Sequence, residues 1–189
     1  MEDGDKVKNW QSFLNEKVEA PKSHMMIDIE TLSVANSAVI VEIGAVVFNM
    51  ETELDTRTYR PDWKVQIMKG RDISKDTVKW WNTQPFPIPD GRDEIQMIFV
   101  DMMDLAKEYD VKKFWFRGPQ FDCVKLESLA EDFSCKVPWK YFDVCDCRTF
   151  DLFADPERKK EPTPHIALQD ARKQVRELLA VFERIGVAI

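Results

Sequence analysis

Residues 25–30 read Met-Met-Ile-Asp-Ile-Glu, an apolar run with the character of a buried strand, broken by two acids. Side chains two apart on a strand point to the same side. Asp28 and Glu30 therefore face one pocket near the strand's end. Two carboxylates confined there repel each other and lose hydration, so something cationic must hold them. No Lys or Arg lies within the strand. A divalent metal is the economical answer, because Mg²⁺ and Mn²⁺ prefer oxygen ligands. The plainer alternative is an acid pair that reaches solvent at a strand end, since Asp-x-Glu alone is a weak signal. Asp155-Pro156-Glu157 has the same spacing in a polar loop, where it carries no such meaning.

The chain has 189 residues, enough for one domain with a real core and too few for two ordinary ones. A net charge of -7 argues against sequence-blind coating of duplex DNA, which needs many Lys and Arg contacts to phosphate. It is compatible with a nucleic-acid enzyme whose carboxylates hold metal ions. No run of about 18 apolar residues occurs, so no membrane span is expected. Residues 1–8 are polar, so no secretory signal is expected. The four Cys form no C-x-x-C pair and are read as reduced thiols in a cytoplasmic protein. Cys145-Asp146-Cys147 is too closely spaced for a structural zinc and lacks a second pair.

Residues 1–23 read as a polar N-terminal arm or tail, with one amphipathic turn around Trp10, Phe13 and Leu14, ahead of a domain over 24–189. Residues 25–30, 39–48 and 56–60 predict strands, linked closely enough for an antiparallel meander. Residues 74–82 predict a helix with Ser74 as N-cap, ended by the Pro-rich stretch 82–91. Residues 93–109 predict another, with Ile95, Ile98, Met102 and Leu105 at helical spacing. A strand over 112–116, a turn at Gly118-Pro119 and a helix over 122–133 follow. A strand over 141–144, a short helix over 147–153, a polar loop over 154–164 and a last helix over 166–185 complete the pattern. Three strands and then alternating helix and strand imply an α/β fold with a mixed five-stranded sheet and helices on both faces.

Three further residues each have an ordinary local role. Asp122, just after a strand and a Gly-Pro turn, suits a helix N-cap. Asp170, in the first turns of the last helix, suits dipole compensation. His165 suits an exposed loop. Taken together they say more. Asp28-Ile29-Glu30-Thr31, Phe121-Asp122 and His165-Ile166-Ala167-Leu168-Gln169-Asp170 occur in that order on a strand, a strand-to-helix turn and a helix start. This pattern resembles the DEDDh 3'–5' exonucleases, the DnaQ-like group with an RNase H-like fold, over residues 25–185. Ile43-Gly44-Ala45-Val46 resembles the second strand of these enzymes. Thr77-Val78-Lys79-Trp80-Trp81, Trp115-Phe116-Arg117-Gly118 and Cys147-Arg148-Thr149 resemble the subgroup of T-even phage exonuclease A and the mycobacterial RNase T-like exoribonucleases. Many DnaQ-like proteins carry an Asn shortly before the third acid; Arg117-Gly118-Pro119-Gln120 stands there instead. That departure argues against carrying over the substrate preference of proofreading subunits.

The resemblance implies two divalent ions, Mg²⁺ or Mn²⁺, held by Asp28, Glu30, Asp122 and Asp170, with Asp28 bridging. It makes His165 the general base and implies that Glu30 and Thr31 meet the terminal 3'-OH while Leu32 packs on the last base. Adjacent helix positions do not share a face, so at most one of Trp80 and Trp81 faces substrate, and a structural role for both is the alternative; Trp81 is taken as the substrate-facing one, and Phe121 is a further candidate. Arg148 either holds a phosphate or pairs with an acid. The polar loop 154–164 is a natural hinge for bringing His165 in when substrate binds. The expected activity is 3'–5' exonucleolytic hydrolysis of single-stranded ends, DNA ahead of RNA on the phage-like motifs, in the cytoplasm of the cell or of a phage-infected host. Homodimers are frequent in the superfamily. The alternatives are an exoribonuclease or oligoribonuclease, a hydrolase of small pyrophosphates, and an inactive RNase H-like nucleic-acid-binding module. The last would allow a metal position to decay, and none has.

Overall fold

In the computed structural model of the protein, which describes residues 23–154, 157 and 163–186, the sheet is built outward from two almost wholly buried strands. These are β1 (Ser23–Thr31) and β2 (Ile40–Phe48), paired antiparallel with Asp28 opposite Gly44. β3 (Glu53–Tyr59) continues the meander on β2. β4 (Val111–Phe116) and β5 (Val144–Asp146) add in parallel on the other side of β1, giving the order β3-β2-β1-β4-β5. The expected arm lies outside the described residues except for Ser23, which heads β1.

Alternation along β1 divides the core. Met25, Ile27 and Ile29 pack with the apolar faces of α3 (Ile95–Glu108) and α4 (Asp122–Asp132). Met26 points the other way, into a cluster with Ala171, Val175, Leu178 and Phe182 of α5 (Ala167–Ile185). By the period of two, Asp28 and Glu30 share the α5 side with Met26. Helices therefore cover both faces, as the pattern implied.

Two residues of β2 fix where α5 begins. A Cβ on Gly44 would lie 2.3 Å from the backbone of Ala167 and Leu168, so only glycine lets the helix start this close to the sheet. Two residues earlier, the buried Glu42 accepts the Ala167 backbone N–H through Oε2 at 3.0 Å. Its carboxylate serves a helix start that has no capping side chain of its own.

The structure departs from the sequence pattern in three places. A six-residue helix, α1 (Trp63–Met68), occupies a stretch without an assigned element; it is too short to show a period, although Asp62 caps it through Lys64 N at 2.8 Å. α2 (Lys75–Trp81) follows, with Ser74 accepting from Thr77 N as its N-cap. The strand expected over 141–144 is instead a 3-10 turn, Tyr141–Asp143, and β5 begins at Val144. Tyr141 and Phe142 stay largely exposed, and pairing with β4 starts only at Val144, opposite Phe114. The short helix after β5 is a 3-10 helix, Cys147–Phe153, whose start the Asp146 side chain caps. Among the described residues, no helix is long and apolar enough to cross a membrane.

Candidate active site

β1 runs past the end of its pairing with β4, which stops at Met26 opposite Trp115. The last residues of β1 thus have an open edge, and Asp122, the first residue of α4, fills it. The Ile29 backbone N–H donates to the Asp122 carboxyl, between the two acids of β1. Asp122 is not the N-cap; Phe121 holds that position without a side-chain bond. Asp170 comes from the first turn of α5. Its Oδ2 accepts the Ile166 N–H at 3.2 Å, while its Oδ1 is buried without a hydrogen-bond partner.

All four acids line one cleft of about 920 Å³, with His165 and Gln174. Asp28 Oδ1 accepts from Gln174 Nε2 at 2.7 Å. His165 Nδ1 lies 3.9 Å from Glu30 Oε1, and ligand atoms of Glu30, His165 and Asp170 all fall within 4.8 Å of one another. His165 takes a left-handed backbone, φ 54°, uncommon for a residue with a side chain. The other histidine, His24, is a packing group. It is buried, accepts from the Trp115 indole at 3.1 Å, and burial lowers its pKa to about 4.

Burial dominates the electrostatics of the cluster. Burial, then the Asp122 and Glu30 charges, hold Asp28 well above the usual carboxylate range. Burial, then Asp170, Glu42 and Asp122, push Glu30 up to about 8. Burial raises Asp122 to about 7 against the opposing pull of Lys125, and raises Asp170 as well. Four converging carboxylates and a buried, unpartnered oxygen on one of them fit a hard divalent cation.

The expected substrate-facing residues divide. Thr31, Phe121 and Arg148 line the cleft. Trp81 does not: it is 2% exposed, packs with Leu32, Val39 and Val41, and donates its indole N–H to the Thr31 carbonyl at 3.0 Å. Its neighbour Trp80 is the one that lines the cleft, 38% exposed and edge-on to His165 at 4.7 Å. One of the pair does face the cleft, but the expectation named the wrong one. Leu32 is likewise buried in the core and absent from the cleft wall. The loop expected to move His165 lies largely outside the described residues.

Two functional candidates escaped the sequence pattern. Gln174 stands one helical turn beyond Asp170, a spacing that could have marked it. Glu42 interrupts the apolar run 39–48 just as Asp28 interrupts β1, and the same reasoning could have found it.

This sheet order, with three acids and a histidine gathered around the fourth acid on its central strand, is the arrangement expected from the resemblance to 3'–5' exonucleases. Residues 23–182 match the model of the family described as the 3'-5' exoribonuclease Rv2179c-like domain, and the chain belongs to that family. No curated protein matches the sequence. Among solved structures, the nuclease domain of 3'hExo, a DEDDh family member bound to rAMP, superposes with a TM-score of 0.62 at 12% identity, over 89% of this chain and 94% of that one. An exonuclease I structure superposes with a TM-score of 0.64 at 11% identity, over 87% of this chain and 42% of that one. A product-bound exonuclease I gives 0.55 at 10% identity, over 88% and 44%. At these identities the likeness shows the fold, and the chain spans less than half the length of exonuclease I.

Proposed function

We propose that the protein shortens single-stranded RNA from its 3' end, using two divalent ions, Mg²⁺ or Mn²⁺, held by Asp28, Glu30, Asp122 and Asp170. The observation that carries this reading is the convergence of four acids from β1, α4 and α5 on one cleft, where burial first, and for Asp28 and Glu30 the neighbouring carboxylates as well, raises their pKa values. The exoribonuclease description of the family supports RNA, ahead of the DNA that the phage-like motifs favoured. A cytoplasmic setting, where the free thiols stay reduced, belongs to the same proposal.

Bound divalent ions would stabilise the charge developing on the attacking and leaving oxygens of the phosphodiester. The chain's own residues do the rest. His165, at the mouth of the carboxylate cluster, takes the proton from the attacking water. Its edge contact with Trp80 and its fixed backbone aim the imidazole into the cleft. Gln174 holds Asp28 in one orientation through the 2.7 Å hydrogen bond. Arg148 stacks its guanidinium on Gly118, 3.1 Å from where a Cβ would stand, and donates to the Arg117 carbonyl. It faces the cleft beside Asp122, suited to a backbone phosphate. Trp80 and Phe121 offer aromatic surface to bases, a contact that tolerates any sequence.

The test is digestion of matched 3'- and 5'-labelled RNA and DNA oligonucleotides with Mg²⁺ or Mn²⁺, beside Asp28→Ala and His165→Ala. Stepwise loss from the 3' end of RNA, abolished in both variants, is the expected result. Faster loss from DNA would overturn the RNA assignment. An unimpaired His165→Ala would remove the proposed base and leave the metal centre standing.

A further inference from the structure

The mechanism above leaves the buried charge of Lys125 unused. Lys125, on the first turns of α4, is 1% exposed. Fully buried lysines are rare unless paired. Among the described residues, none accepts a hydrogen bond or an ion pair within 4.0 Å from this ammonium. Instead Nζ sits 3.3 Å from the centre of the Phe121 ring, four residues before it in the chain. That ring and the carboxylate of Asp122, three residues before it, are the groups that compensate its charge. Lys125 is the largest electrostatic influence favouring ionised Asp122, and Asp122 in turn favours charged Lys125 against its burial. A lysine serving only to fill space would be replaced at lower cost by methionine, which has a similar stem and no charge to desolvate.

We propose that Lys125 is the resident counter-cation of the carboxylate cluster: fixed behind Asp122 by the Phe121 ring, it steadies the acids before metal binds and opposes the metal once it arrives. The proposal rests on the metal centre proposed above. It makes Lys125 a positioning residue that touches neither substrate nor metal. The benefit is a folded, metal-free enzyme with its acids in place. The cost is weakened metal affinity.

The sign of the effect separates this role from mere packing. Removing a structural support beside a metal ligand weakens binding, whereas removing a fixed positive charge near a divalent ion tightens it. Calorimetric titration of the full chain with Mg²⁺ at mildly alkaline pH should show Lys125→Met binding about ten-fold tighter than wild type, and Lys125→Arg binding like wild type. The metal-free Lys125→Met protein should melt lower, and gain more from Mg²⁺. Unchanged or weaker binding in Lys125→Met overturns the role, as does an equal change in both variants. Should Lys125→Met not fold, the wild type itself decides: the Lys125 side-chain NMR resonances should shift on Mg²⁺ addition, and unmoved resonances overturn the proposal. Wild type that binds no Mg²⁺ would end the metal centre along with the lysine's role. Wild type that binds normally, with a null result in Lys125→Met, ends only the latter.

Discussion

At the scale of single residues, the cluster's acids make pH dependence the sharpest readout. Glu30 is pushed up to about 8 and Asp122 to about 7, mainly by burial, and Asp28 higher than the usual range. A carboxyl raised on folding binds its proton more tightly in the folded chain. Its stabilising contribution is complete below the unfolded pKa, near 4, and is lost as pH rises through the folded value. The metal-free protein should therefore melt at falling temperature between pH about 5 and about 8, and saturating Mg²⁺ should flatten that fall. Thermal unfolding in chelator and in Mg²⁺ checks this; a melting temperature that climbs across the window without metal would contradict it. The two tryptophans separate function from packing. Trp80→Ala, at a half-open cleft wall, should raise KM about 5- to 100-fold through lost base contact, with little change in melting. Trp81→Ala, fully buried and bonded to the Thr31 carbonyl, should cost about 3–5 kcal/mol of stability. Gln174→Leu removes the partner of Asp28 and should lower turnover or Mg²⁺ affinity about 10- to 100-fold, measured by steady-state kinetics and calorimetry.

At the scale of elements, the site depends on how α5 meets β2. Gly44 lies opposite Asp28, and its missing Cβ is the space that the Ala167 backbone occupies. Gly44→Ala must push the start of α5 off the sheet, carrying Asp170 and His165 with it. We expect about 1–3 kcal/mol of destabilisation, typical of overpacking. Turnover should fall by at least about 100-fold, because a displacement of about 1 Å at a catalytic group has that effect. Equal turnover in a folded Gly44→Ala would show that α5 need not seat so closely. The elements also show which part of the structure the sequence carries. Asp28 and Glu30 stood out because acids in an apolar strand violate local patterning, and such violations mark candidate sites; Asp122, His165 and Asp170, each locally ordinary, stood out only through the family resemblance of the whole pattern. β1, β2, α3 and α5 were legible because each is long enough to display its period. α1 was not, since six residues hold less than two turns. β5 was expected but placed too early, over 141–144, because its three residues, Val144–Asp146, are fixed by pairing with β4 and carry no pattern of their own. Trp80 and Trp81 could not be told apart for a related reason. Which indole turns inward depends on where α2 lies against the end of β1, a tertiary fact that adjacent positions on a helix do not encode.

At the scale of the whole molecule, the charge distribution limits how substrate is held. The net charge is -7, and the cleft floor is acidic. Among the described residues its walls carry three cations, Arg117, Arg148 and Lys173. Arg117 is already committed to Asp151 at 2.7 Å and Glu177 at 3.3 Å. Recognition must then come largely from the metal centre and the aromatic walls, with few contacts to phosphates along the strand. Each neutralised phosphate of a single strand contributes about -0.7 to the slope of log affinity against log salt. The three cations among the described residues would set a slope of about -2. We expect KM for a single-stranded RNA oligonucleotide, followed across KCl concentrations at fixed Mg²⁺, to rise no more steeply than this. Arg148→Ala should make the dependence shallower still by somewhat under one unit, since it removes one of these wall cations. A slope of about -5 or steeper would mean that further cations reach the strand, from a second copy of the chain or from residues beyond the cleft, and that this cleft does not bind substrate alone.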